Sequence, residues 1–244
     1  MKKSQQQEKV VAIVPAAGIG KRFGSGMNKP LHNLSGKPLI VWSLQVLESV
    51  EEVVEIIPVL KIKDMEVSIE IFEQYGITKV KKVAPGGKER QDSVYNGLKL
   101  IENEDCIVLI HDGVRPLIEK YLVKNIIRQM SKIMSNQEKY DGIILGVPLK
   151  DTIKVSEGDI VKKTLKRDSL WAIQTPQVFP YEKIIKAYEE AMKDKFYATD
   201  DAALIEQYKG RIKVKMGSYA NIKITTPEDL AIGEFFLSRK EKAI

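Results

Sequence analysis

Five consecutive apolar residues, 10–14, follow a polar opening and stop at Pro15. A short run of branched side chains without polar interruption is the pattern of a parallel strand buried on both faces. The period then changes. Over 38–50 apolar residues recur at helical spacing, with Leu39, Trp42, Val46, Leu47 and Val50 on one face. Residues 53–60 read as a strand, 65–75 as a helix stopped by Gly76, and 80–84 as another strand. A loop at 85–90 opens a helix towards Leu100, and 106–110 form a strand ending at His111-Asp112. The pattern continues with a helix at 119–135, a strand at 142–147, helices at 181–192 and 200–208, and strands at 211–216 and 222–224. Thr226-Pro227-Glu228-Asp229 then starts a helix, with a threonine cap, proline in the first turn and an acid three residues past the cap. Strands alternating with helices predict one α/β domain over 1–244, a mostly parallel sheet with helices on both faces.

One segment breaks the alternation. Residues 151–167 read as two alternating strands about a Glu157-Gly158-Asp159 turn. An isolated hairpin is marginal in water, so this one is expected to pack against a second subunit or against its own domain. The polar opening, 1–9, is expected to be a disordered tail.

Composition narrows the classes. No apolar run approaches the roughly 20 residues that span a bilayer, and the opening is not a secretory signal. The single cysteine, Cys106, excludes an intrachain disulfide framework and fits a reducing cytoplasm. The net charge is +6, from 39 Lys and Arg against 33 Asp and Glu. Such a surplus serves either a nucleic-acid surface or a pocket for phosphorylated ligands. The lysines are scattered and aromatics do not interleave with them, which argues against nucleic acid.

Candidate chemistry sits at strand ends. Pro15-Ala16-Ala17-Gly18-Ile19-Gly20-Lys21-Arg22-Phe23 follows the first strand directly. Small residues and glycines let backbone amides approach an anion, and Arg22 and Lys29 can hold a triphosphate and neutralise a leaving group. Phe23 stands where a dinucleotide fingerprint needs glycine, and no Gly-Lys-Ser/Thr ends the loop as in a Walker motif. The bland alternative is a tight strand-to-helix turn. His111-Asp112-Gly113-Val114-Arg115-Pro116 places an acid at the carboxyl end of a buried strand, where open α/β sheets bind ligands. Asp112 can hold Mg²⁺ or simply anchor a loop; His111 reads as a packed histidine. Gly86-Gly87-Lys88-Glu89-Arg90-Gln91-Asp92-Ser93 suits close approach to a base or ribose, with the Ser93 hydroxyl available to the same ligand. The 170–177 stretch, Thr199-Asp200-Asp201 and Asn221-Ile222-Lys223 would each read as structure if found alone.

In order, however, Pro-Ala-Ala-Gly-x-Gly-x-Arg at 15–22, Gly-Gly-x-x-Arg-x-Asp-Ser at 86–93 and His-Asp-x-x-Arg-Pro at 111–116 are followed by four more motifs. These are Asp-Thr-x-Lys at 151–154, Leu-Trp-x-x-Gln-Thr-Pro-Gln at 170–177, Thr-Asp-Asp-Ala at 199–202 and Asn-Ile-Lys-x-Thr-x-Pro-Glu-Asp at 221–229. The series resembles the 2-C-methyl-D-erythritol 4-phosphate cytidylyltransferases over about 10–236. The resemblance implies a Rossmann-like fold of the nucleotide-diphospho-sugar transferase type, CTP with Mg²⁺ or another divalent cation, and a cytoplasmic homodimer with 151–167 as the embracing β-arm. It implies Arg22, Lys29 and Lys223 as catalytic cations, and Ala16, Ala17, Gly18, Gly20, Gly87, Ser93, Asp112 and Gly113 as nucleotide contacts. It implies Thr152 and Arg167 from the partner's arm at the substrate phosphate, with Arg115, Thr175 and Thr199 lining the rest. Lys88 departs from the family, where an acid often stands.

Three rivals compete. Ribitol-5-phosphate cytidylyltransferases usually open with Leu-Ala-Gly-Gly and lack the tryptophan and Thr-Asp-Asp-Ala run. Sugar-1-phosphate nucleotidyltransferases usually carry a longer glycine-rich stretch. A non-catalytic nucleotide- or nucleic-acid-binding module leaves Arg22, Lys29, Asp112 and Lys223 without a joint purpose.

Overall fold

The structure, a computed structural model, describes residues 9–18 and 29–241. The tail expected at 1–9 lies outside them except for Lys9, as do Gly20 and Arg22. Strand β1 (Val10–Pro15) is central. It pairs in parallel with β4 (Val53–Leu60) on one side and β6 (Ile107–Ile110) on the other. The short β2 (Asn33–Leu34) and β3 (Lys37–Pro38) form a separate two-stranded ribbon, and β5 (Ala84–Pro85) extends the sheet beyond β4. On the far side stand β7 (Gly142–Pro148), β10 (Trp171–Pro180) and β11 (Ile212–Met216), giving the order β11-β7-β10-β6-β1-β4-β5. β10 runs antiparallel to both its neighbours and β11 parallel to β7, so the sheet is mostly parallel as expected.

Both faces are covered because β1 alternates between two apolar clusters. Val10, Ala12 and Val14 pack with α1 (Leu39–Glu48) and α4 (Lys120–Ser135). Val11 and Ile13 pack with α3 (Arg90–Leu98), α5 (Tyr181–Asp194) and α6 (Asp201–Gln207). The helix α2 (Met65–Gln74) buries Phe72 on the first face. No helix among the described residues is long and apolar enough to cross a membrane.

Several expectations need correction. α1 buries Ile40, Val41 and Leu44 together with Leu39 and Leu47, while Trp42 and Val46 of the predicted stripe are only half-buried. The strand at 80–84 reduces to a bridge from Val80 to Ile56 and the pairing of Ala84 with Val59. Three steps along β4 thus face four along this edge, and the extra residue breaks the ladder. No strand forms at 222–224: Ile224 N–H donates to Val114 O, while Asn221 and Ile222 bond within their own turn. The ten residues of β10 were read only as a motif, although they form the longest strand.

The hairpin β8 (Lys154–Glu157) and β9 (Ile160–Thr164) turns at Gly158, whose φ of +57° suits glycine. Every residue of both strands is exposed. At the far end, α7 (Pro227–Glu241) begins as the Thr-Pro-Glu-Asp pattern requires: Asp229 Oδ2 accepts from the Thr225 and Thr226 N–H groups at 2.6 and 2.9 Å. A small cluster of Leu34, Leu39, Leu117, Ile224 and Leu237 ties α7 to α1 and fixes the chain at Ile224.

Candidate active site

The carboxyl ends of β1 and β6 open into a cleft of about 440 Å³. Ala16, Ala17 and Gly18 line it, and so does the loop after β5 through Gly87 and Lys88. Gly87 has no room for a side chain, since a Cβ would collide with that of Asp92 and press on Ser93 N at 3.1 Å. Its N–H donates to Ser93 Oγ at 3.0 Å, and Ser93 donates to Glu89 O. The serine hydroxyl expected to face the ligand therefore holds the loop against α3. Lys29 opens a 3-10 turn, Lys29–Leu31, and lies 9% exposed on the same cleft.

Asp112 follows β6 and stands at the back of the cleft, 5% exposed. Three cations surround its carboxylate: Lys223 Nζ at 2.8 Å, Arg90 Nε at 3.2 Å and Arg115 Nε at 3.7 Å. Burial opposes its charge, yet Arg90, Lys223 and Arg115 together hold the carboxyl well below the usual range. Arg90 also grips Asp201 with both Nη atoms, at 2.9 and 2.8 Å, and Tyr188 OH donates to the same carboxylate. Burial works against the charge on Arg90, and Asp201 and Asp112 outweigh it, so its pKa is raised. Three cations against two carboxylates, with Lys29 nearby, leave a cationic pocket suited to polyphosphate.

A second pocket of about 450 Å³ adjoins the first, and Arg90, Asp112 and Lys223 line both. Arg115, Thr175 and Thr199 line the second pocket. Between Gln174 and Gln177 the pairing of β10 with β7 shifts register, and Thr175 sits at that break. Its Oγ1 accepts from Asp112 N–H at 3.0 Å and lies 3.1 Å from His111 Nδ1. His111 Nε2 faces Arg115 O at 3.3 Å, and a carbonyl only accepts, so the proton is on Nε2 and Thr175 donates to Nδ1. His111 is 0% exposed, packed as the sequence suggests, and burial lowers its pKa to about 4, keeping it neutral.

The structure thus gathers Ala16, Ala17, Gly18, Lys29, Gly87, Ser93, Asp112 and Lys223 around one cleft. Gly113 packs behind it against Val14, Ala16 and Ile40, and Val114 faces the cleft instead. Thr152 and Arg167 are exposed and line neither pocket of their own chain; Arg167 Nη1 donates to Lys150 O. Sequence reasoning passed over Arg90, although it stands inside the Gly-Gly-x-x-Arg motif.

The family model of 2-C-methyl-D-erythritol 4-phosphate cytidylyltransferase matches residues 10–239. The chain belongs to this family. The cytidylyltransferase of that name from Geotalea uraniireducens is 45% identical over 94% of this chain and 97% of its own length. The Geobacillus thermodenitrificans enzyme is 44% identical over the same shares. Among solved structures, 4-diphosphocytidyl-2C-methyl-D-erythritol synthase from Anaerococcus prevotii superposes with a TM-score of 0.82 at 32% identity, covering 95% of this chain and 97% of that one. The Francisella tularensis cytidylyltransferase gives 0.77 at 27%, covering 93% and 99%. A cytidylyltransferase needs room for a nucleoside triphosphate beside an acceptor, and the two adjoining pockets have that arrangement.

Proposed function

We infer that this chain transfers the cytidylyl group of CTP to 2-C-methyl-D-erythritol 4-phosphate, giving 4-diphosphocytidyl-2-C-methyl-D-erythritol and pyrophosphate. The observation that carries the reading is the shared wall: Lys223, Asp112 and Arg90 stand between a glycine-lined cationic cleft and a second polar pocket. CTP occupies the first, with its phosphates against the Ala16–Gly18 backbone and Lys29. The acceptor occupies the second, with its phosphate towards Lys223 and Arg115.

One acceptor phosphate oxygen forms a bond to the α-phosphorus. The bond from that phosphorus to the bridging oxygen breaks, and pyrophosphate leaves with the electron pair. The acceptor is already an oxyanion near neutral pH, so the protein supplies position and positive charge rather than a base. Lys29 and Lys223 hold the charge that grows in the transition state, and Arg22, outside the described residues, joins them by its place in the motif.

Asp112 is the residue for Mg²⁺. No group of three acidic, histidine or cysteine side chains forms a cage among the described residues. An ion there would have the Asp112 carboxylate as its protein ligand and would compete for it with Arg90 at Oδ1 and Lys223 at Oδ2. When bound, it neutralises phosphate charge. The exposed arm belongs to a homodimer, in which the partner subunit's Thr152 and Arg167 complete the acceptor pocket. The setting is cytoplasmic, consistent with one buried, unpaired cysteine.

A pyrophosphate-release assay with CTP tests the reading. Turnover is expected with 2-C-methyl-D-erythritol 4-phosphate and not with ribitol 5-phosphate. Lys29→Ala and Lys223→Ala should lower kcat on the order of 10² to 10³ with the fold intact. Absence of turnover with the erythritol phosphate, or normal kcat in both variants, overturns it.

A further inference from the structure

The acceptor pocket differs in charge between its two ends. Arg90, Asp112 and Lys223 form the wall shared with the nucleotide cleft. Beside them stands Arg115, 9% exposed, with Nη1 donating to Asn221 O and Nε 3.7 Å from Asp112 Oδ2. That end is built for an anion. Asp200, Ala203 and Glu206, three residues apart along the helix that Asp200 caps, also line the pocket, and Glu206 stands at the helix end away from Arg90. The Asp200 oxygens are engaged, Oδ1 by Ala203 N–H at 3.0 Å and Oδ2 by Gln177 Nε2 at 2.7 Å. The Glu206 carboxylate makes no hydrogen bond or ion pair among the described residues. The residue is exposed at the pocket's rim, and the little burial it has, and after it Asp200, raise its pKa.

The helix sets the distance between these ends. Asp201, bound to Arg90, is in the first turn of α6, and Glu206 is in the last. Five residues of helix separate them by about 7.5 Å along the axis. A phosphate is drawn to the cationic wall and repelled by Glu206. A neutral hydroxyl gains little from the cations and donates well to a carboxylate. Ile144 and Ile173 also line the pocket, an apolar surface for the carbon chain.

We propose that Glu206 accepts a hydrogen bond from a hydroxyl at the phosphate-free end of the polyol, and so fixes which end of the acceptor meets the α-phosphorus. The assignment rests on the second pocket being the acceptor site. It makes Glu206 a specificity residue for polyol phosphates over plain alkyl phosphates.

Steady-state kinetics of Glu206→Ala and Glu206→Gln, with acceptor and CTP varied separately, tests it. The acceptor KM is expected to rise about 10- to 100-fold in Glu206→Ala, the loss of one hydrogen bond to a charged group. The rise should be smaller in Glu206→Gln, which keeps a carbonyl acceptor, and the CTP KM should stay put in both. n-Butyl phosphate, which lacks hydroxyls, should serve wild type and variants equally poorly. An unchanged acceptor KM in both variants overturns the assignment, as does an equal effect on butyl phosphate. Failure of the wild type to use any polyol phosphate would instead overturn the acceptor-site reading, and this assignment with it.

Discussion

The guanidinium of Arg90 lies between two carboxylates, Asp112 and Asp201, that are 5% and 1% exposed. Two such anions survive burial only when paired, and Arg90 pairs with both while lining both pockets. Removing it leaves Asp201 with Tyr188 as its remaining side-chain partner. Breaking a buried pair from one side costs about 3 to 5 kcal/mol. Arg90→Ala is therefore expected to lower Tm by roughly 6 °C or more, and to reduce turnover because Asp112 and Lys223 lose their support. Arg90→Lys restores charge without the fork and should recover only part of both. Calorimetry and the pyrophosphate assay check this; wild-type Tm and turnover in Arg90→Ala would remove Arg90 from the site. Such a role was not legible in the sequence. The motif shows an arginine near glycines, while its partner Asp201 is distant in the chain and reaches it only through the packing of α3 on α5 and of α5 on α6. Glu206 carries no motif at all. Asp112 and Lys223 were legible because each lies within one of the ordered motifs, whereas Lys29 lies in none and was read from its nearness to the glycine-rich run and from the family resemblance.

At the scale of elements, period and punctuation carried the reading where a segment is regular and buried. β1, β4, α4 and the capped start of α7 follow directly from apolar runs, helical spacing and the Thr-Pro-Glu-Asp signal. They failed where the partner decides. β10 is interrupted by Gln174, Thr175, Pro176 and Gln177, which look like a loop, yet β6 and β7 on either side give its backbone ladder partners. The segment at 222–224 has a strand's composition, but it crosses the sheet ends to place Lys223. The loop after β5 shows what an element-level constraint does to function. A Cβ at Gly87 would meet the first turn of α3, including the Asp92 carbonyl carbon at 3.0 Å, whereas one at Gly18 would meet nothing within 4 Å among the described residues. Gly87→Ala should therefore lower both Tm and CTP affinity, and Gly18→Ala should fold with wild-type Tm. A misplacement near 1 Å can cost about 10² in rate, so CTP KM or kcat should move clearly in the first variant. Thermal melts and CTP titration compare the two; equal Tm values would show that the loop yields freely.

At the scale of the whole molecule, the hairpin is the feature that one chain leaves unexplained. Val155, Ile160 and Val161 are 44, 66 and 56% exposed, and β8 and β9 pair with each other alone. Two strands without a covered face are marginal in water. Reading the arm as one that embraces a second copy makes a prediction sharper than a mass measurement. In a symmetric dimer, each site then combines the Lys223 of one chain with the Arg167 of the other. Lys223→Ala has a damaged core and a sound arm; Arg167→Ala has the reverse. Each alone should be nearly inactive. Mixed and allowed to exchange, half of the dimers pair one of each, and in those one site of two regains both groups, for about a quarter of wild-type turnover. If the arm serves its own chain, every site in the mixture lacks one group and nothing is regained. Recovery on mixing, followed by its loss when the two variants are placed on one chain, is the expected result. Mixing without recovery would return Thr152 and Arg167 to the surface on which this chain displays them.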